Sequence, residues 1–185
     1  MLKCQLKDGY YLALIEKQHA AILFDLMERN RSHFQKYIGI INRINSLKDA
    51  EESIVNARKD GADGKLCGWG IWCNSKIVGN VNIHDIDNVT KSGDVGYYID
   101  KEHEGKGLVR LAMEELIHYV FEEYGLERIV IECATMNERS RNIAEYLGFC
   151  HEGILRKKYV LNGNLEDCHI YSLLRSEAKL RYNIT

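Results

Sequence analysis

The chain has 185 residues, 45% of them apolar and 28% charged, with a formal charge of −2 at pH 7 and no proline. That length fits one domain, residues 1–185, with a substantial core. The composition is ordinary for a globular protein, and the near-neutral balance argues against a dedicated nucleic-acid binder.

No apolar run approaches the ~18 residues of a membrane span. The first residues lack the apolar core of a signal peptide, so a cytoplasmic location is expected. The six cysteines, Cys4, Cys67, Cys73, Cys133, Cys150 and Cys168, contain no Cys-x-x-Cys spacing, and several sit in apolar runs. Reduced thiols acting as small hydrophobes are expected, and no metal.

Ile15, His19, Ile22, Leu23 and Leu26 recur at helical spacing and predict a helix over 12–29. A second helix is expected over 47–59, with Asn45 or Ser46 as N-cap and Asp49, Glu51 and Glu52 near its positive end. A turn cluster at 60–64 leads to a hairpin of 66–73 and 76–83 closed around Asn74-Ser75. After a polar loop over 85–93, the aromatic and β-branched residues of 94–100 predict a strand. Glu104-Gly105-Lys106-Gly107-Leu108 then opens a helix over 109–124, and 128–133 reads as another strand. Asn137 is a good N-cap for a further helix, and Gly148 a good left-handed stop. Finally, 153–161 and 165–174 flank Asn162-Gly163, a type I′ hairpin signal.

The turn at 104–108 carries the most chemistry. Two glycines can direct backbone N–H groups inward, and the helix start adds unpaired N–H groups and a positive dipole end, together a site for a phosphate or pyrophosphate. A Walker loop is excluded because Lys106 is followed by Gly107 and Leu108. A dinucleotide fingerprint is excluded because Arg110 stands where its third glycine belongs.

In order, the strand, Gly-x-Gly-Leu turn, long helix, strand, Asn137-x-x-Ser140 helix and Leu147-Gly148-Phe149 resemble the GNAT superfamily of N-acetyltransferases. The details are most similar to its ribosomal-protein N-terminal acetyltransferase (RimJ/RimL) branch. The resemblance implies a single mixed α/β domain, with a twisted mixed sheet of about seven strands splayed in the middle and about four helices around it.

It also implies a reaction: direct transfer of an acetyl group from acetyl-CoA to a primary amine, with a backbone N–H near Ile99 holding the oxyanion. The amine could belong to a protein N-terminus or to a small molecule such as a polyamine or aminoglycoside. A non-catalytic CoA-binding module is the alternative from another class, and a homodimer stays open.

Carried over residue by residue, the backbone of Tyr98, Ile99 and Asp100 pairs with the pantetheine amides like an added strand. Gly105, Lys106, Gly107, Leu108 and Val109 present N–H groups to the pyrophosphate, with Lys106 or Arg110 as a cation. Asn137 contacts the pantetheine. Ser140 lies close to the sulfur and can donate it a proton, and Glu132 aligns with a proposed general base. His84 and Tyr97 are further candidates on the acceptor side. Four positions depart from the family, the mildest being Val109 where a glycine or alanine is usual. Glu104 sets a carboxylate beside the pyrophosphate turn, Ala144 replaces a frequent tyrosine acid, and Tyr159 replaces a glutamate before the last hairpin.

Overall fold

The computed structural model describes residues 3–161 and 163–184; Asn162, half of the predicted hairpin turn, lies outside the described residues. Tyr10 and Leu12 are buried while the residues between and after them are less so. That alternation belongs to a strand, β2 (Tyr10–Ala13), which pairs antiparallel with the short β1 (Cys4–Gln5). The helix expected over 12–29 therefore starts later, as α1 (Ala20–Phe34). Its first predicted residues are taken by the sheet, where Leu12 opposes Ile71.

Ser46 caps α2 (Leu47–Ala62) by accepting from the Asp49 N–H. The hairpin of β3 (Cys67–Cys73) and β4 (Lys76–Asp87) turns through Asn74 and Ser75, both at positive φ. Two such residues match the twist of the strands they join. β4 outruns its predicted end and meets β5 (Ser92–Ile99), shortening the expected loop. Then follow α3 (Leu108–Glu122), β6 (Arg128–Ala134), α4 (Glu138–Tyr146), β7 (Cys150–Leu161), β8 (Asn164–Leu174) and α5 (Arg175–Tyr182). The sequence reading contained neither β1 nor α5.

Among the described residues, eight strands form one mixed sheet in the order β1-β2-β3-β4-β5-β6-β8-β7. α3 buries Leu108, Val109, Ala112, Met113, Leu116, Ile117, Val120 and Phe121 against one face of the sheet. α1 and α2 cover part of the other face through Leu23, Leu26, Phe34, Ala50 and Ile54, packed around Trp72 and Ile77.

The site is created at one seam. β5 and β6 are the one parallel pair among the described residues, and they pair only through Ser92, Gly93 and Asp94 against Arg128, Ile129 and Val130. Beyond these residues they diverge, so 95–99 and 131–134 bound an open gap in the middle of the sheet.

Candidate active site

A cavity of about 1310 Å³ occupies the gap and extends over both of its banks. At one end is the turn before α3. Gly105 and Gly107 have φ of 72° and 73°, a left-handed conformation that disfavours any side chain. Gly107 is also the N-cap of α3, and no side chain caps it. Leu108 and Val109 send their side chains into the core, which leaves the backbone amides of this first turn to face a ligand. Arg110 lines the cavity with its guanidinium 4.2 Å above the Tyr146 ring.

Lys106 behaves otherwise. Its Nζ lies 3.2 Å from the Tyr10 hydroxyl, and the residue is outside the cavity lining. Glu104 does line the cavity, but its carboxylate is balanced: it pairs with Arg139 and lies 2.9 Å from His33 Nε2. A counter-charge from α4 thus offsets the carboxylate beside the Gly105–Gly107 turn.

On β5, Tyr98 and Ile99 line the cavity and Asp100 does not. The Asp100 N–H is donated to the Val78 carbonyl at 2.7 Å, so it is not free for the added-strand pairing expected of it. Its carboxylate is buried, accepting from Arg29 Nε and Nη2 at 3.0 and 2.7 Å and from Asn30 Nδ2 at 3.1 Å. Because successive main-chain groups of a strand alternate edges, the Ile99 N–H faces the gap.

Asn137 caps α4, its Oδ1 accepting from the Ser140 N–H at 3.2 Å. That bond seats Ser140, buried yet lining the cavity. Ser140 Oγ lies 2.7 Å from the Tyr97 hydroxyl, and burial pushes the Tyr97 pKa far up, so the phenol stays protonated. Either hydroxyl can donate in that contact, and the Tyr97 hydroxyl also reaches the Ser140 carbonyl at 3.3 Å; where Tyr97 donates to Oγ, Ser140 keeps its own proton for a partner in the cavity. Ala144 is fully buried in the core, and Tyr146 is half exposed beside Arg110; neither lines the cavity.

Glu132 lies on the opposite bank. It accepts from the Tyr159 hydroxyl at 2.9 Å and has Lys158 Nζ 3.6 Å from its other oxygen. Burial, with Cys168 and Glu132 beside it, raises the Tyr159 pKa, which keeps that hydroxyl a donor. The residue that replaces the family's glutamate therefore holds a different glutamate in place.

Sequence reasoning named His84 but missed these pairings and also Asn80 and Asn82, which form with His84 a polar strip on β4. Asn80, Asn82 and His84 all line the cavity, alternating with the buried Val81 and Ile83. The signal to be read was that period of two: polar residues on one face of a strand whose other face is core.

Comparison with known proteins agrees with this geometry. Residues 11–150 match the family described as Acetyltransferase (GNAT) domain. The protein named "Putative ribosomal N-acetyltransferase YdaF" from Bacillus subtilis is 33% identical over 178 residues, covering 96% of this chain and 97% of that protein. The structure of the microcin C7 self immunity acetyltransferase MccE in complex with acetyl-CoA and AMP superposes with a TM-score of 0.85 at 30% identity, covering 91% of this chain and 94% of that one. The ribosomal L7/L12 alpha-N-protein acetyltransferase RimL, in complex with coenzyme A, shares the fold with a TM-score of 0.89 at 19% identity, covering 95% and 99% of the two chains. The family match spans most of the 185 residues, and the chain therefore belongs to the GNAT acetyltransferases, as an N-acetyltransferase whose cosubstrate is acetyl-CoA.

Proposed function

We propose that the amine acetylated is the N-terminal amine of a protein. The observation that carries this is the charge of the cavity. Among the described residues its lining includes two carboxylates, Glu104 and Glu132, and each already has a cationic neighbour. Four arginines, Arg43, Arg58, Arg110 and Arg139, line it as well. A polyamine or aminoglycoside needs unpaired negative charge that this lining does not offer. An extended peptide needs a single place for its terminal nitrogen and a long trough for its chain. YdaF carries a ribosomal N-acetyltransferase name, and RimL is described as acting on an alpha-amine of L7/L12; both accord with a protein acceptor.

The residues then divide the work. Acetyl-CoA supplies the activated acetyl group as a thioester. The amides of Gly105, Gly107, Leu108 and Val109, with Arg110, hold its diphosphate. The Ile99 N–H faces the gap where negative charge develops on oxygen. Ser140, seated by Asn137 and Tyr97, holds a proton at Oγ for the departing sulfur, and Glu132, fixed by Tyr159, accepts a proton from the amine side.

Coenzyme A release should be followed with free-amine peptides that differ in their first residue, with their N-acetylated forms, and with spermidine. Transfer to one or more free-amine peptides at a kcat/KM well above that for spermidine is the expected result. Equal or better transfer to spermidine would overturn the protein-acceptor reading.

A further inference from the structure

The polar strip on β4 contains an anomaly. Asn80 Nδ2 donates to the Trp69 carbonyl at 3.1 Å, and Asn82 Nδ2 donates to Asn80 Oδ1 at 2.7 Å. These bonds fix the Asn82 carboxamide with its nitrogen turned along the strip. Its oxygen is then left over: among the described residues, Asn82 Oδ1 is the one buried side-chain polar atom without a hydrogen-bond partner. A buried acceptor without a donor costs on the order of 1–3 kcal/mol, so its retention at a cavity wall points to a donor arriving with the ligand.

A second acceptor borders the same space. His84 Nδ1 lies 3.0 Å from Asp85 Oδ2, and the tautomer that donates there leaves the lone pair on Nε2. Gly96 opposes Asn82 in the ladder. A Cβ at Gly96 would stand 3.1 Å from Asn82 Oδ1 and 3.4 Å from His84 Nε2. The missing side chain of Gly96 therefore keeps open the space between these two acceptors.

Asn82, His84, Gly96 and Glu132 fall on one face of the sheet. Residues opposite each other in a ladder share a face, and residues two apart along a strand do too. Asn82 opposes Gly96, His84 opposes Asp94, Asp94 opposes Val130, and Glu132 is two beyond Val130. All four line the one cavity. Asn82 and His84 stand on the β5 bank of the gap and Glu132 on the β6 bank. Burial pushes the Asp94 carboxyl up in pKa, with His84 pulling the other way and Glu132 adding to the rise, which locates these groups within one electrostatic neighbourhood.

We propose that Asn82 Oδ1 and His84 Nε2, above Gly96 and across the gap from Glu132, receive the acceptor's primary amine. The site offers a carboxamide oxygen, an imidazole lone pair and a carboxylate. A primary nitrogen brings two or three N–H donors and can satisfy several of these at once, whereas a hydroxyl brings one. The pair therefore selects nitrogen over oxygen and orients the nitrogen toward the gap. This assignment rests on the N-terminal acetylation reading and adds the residues that recognise the amine.

Initial rates should be measured with the best peptide of the panel, varying peptide and acetyl-CoA separately, for the wild type, Asn82→Leu, His84→Phe, His84→Gln and Gly96→Ala. Loss of one acceptor should raise the peptide KM about 10-fold, the equivalent of one charge-assisted hydrogen bond. The acetyl-CoA KM and calorimetric affinity should stay within about twofold, a control that a misfolded variant fails. His84→Gln, whose amide oxygen can accept, should recover part of the loss seen with His84→Phe. Gly96→Ala keeps both acceptors but fills the space between them, and should weaken the peptide as either deletion does. A wild type active on peptides, with these variants unchanged in peptide KM, overturns the amine seat alone. A wild type that acetylates no peptide overturns the N-terminal reading, and this seat with it.

Discussion

Ser140 is presented by a helix and completed by a strand. The Asn137 cap belongs to its own helix, so the spacing Asn-x-x-Ser announces it. Tyr97 reaches it from a residue 43 positions away, and no local pattern announces that. Ser140→Ala should lower kcat by about 100-fold while acetyl-CoA affinity measured by calorimetry changes little, because the proposed role of its proton is at the departing sulfur and not in binding. Unchanged turnover would remove Ser140 from the chemistry. The same contrast holds at Glu104 and Glu132. Each carboxylate is visible in the sequence, but Arg139 and His33 for one, and Tyr159 and Lys158 for the other, arrive only through folding.

Among the elements, the turn before α3 was the most legible, since left-handed glycines and a helix start are local properties. Gly107→Ala tests it directly. The open space around Gly107 admits a Cβ, with Arg110 Nη2 3.4 Å away, but a φ of 73° strains any residue other than glycine. The strain is about 1–2 kcal/mol. Relieving it by turning the amides away should weaken acetyl-CoA binding about 10-fold by calorimetry, with the peptide KM little affected. The segment 12–29 was legible only in part. Its apolar spacing fits a helix, yet Leu12 and Ala13 extend the sheet outward from β3 instead, because pairing with Ile71 and Gly70 satisfies their backbone. The polar run over 85–93 contains the end of one strand and the start of the next, joined by a turn at 88–91, with an irregular register between His84 and Asp87 just before it.

Across the whole molecule, Asp100 ties the end of β5 to α1 through Arg29 and Asn30. Burial alone would raise its pKa, but hydrogen bonds from Arg29, Asn30 and the Glu102 N–H outweigh it and hold the carboxyl below its ordinary 3.8. The charged form is thus favoured by folding, and its stabilisation is present above the ordinary value and lost as pH falls through the lower folded value. Asp100→Asn should cost about 2–3 kcal/mol in urea unfolding at neutral pH. That deficit should shrink below pH 3.8, as the wild type loses the same charge. A deficit independent of pH would show that the substituted carboxamide fails for reasons of shape. Read alone, the amino-acid order was enough for the succession of elements around the glycine turn, and its resemblance to the GNAT superfamily pointed to acetyl transfer and to Ser140 as a candidate. The motifs that carry the resemblance, caps, glycine turns and apolar periodicity, are local and act over a few residues. Folding was needed to bring Asn82 and His84 together above Gly96, to give Ser140 and Glu132 their partners, and to tie Asp100 to α1. Those contacts depend on strand register and on where β5 and β6 part, and a slip of one residue would turn every side chain of a strand to the other face.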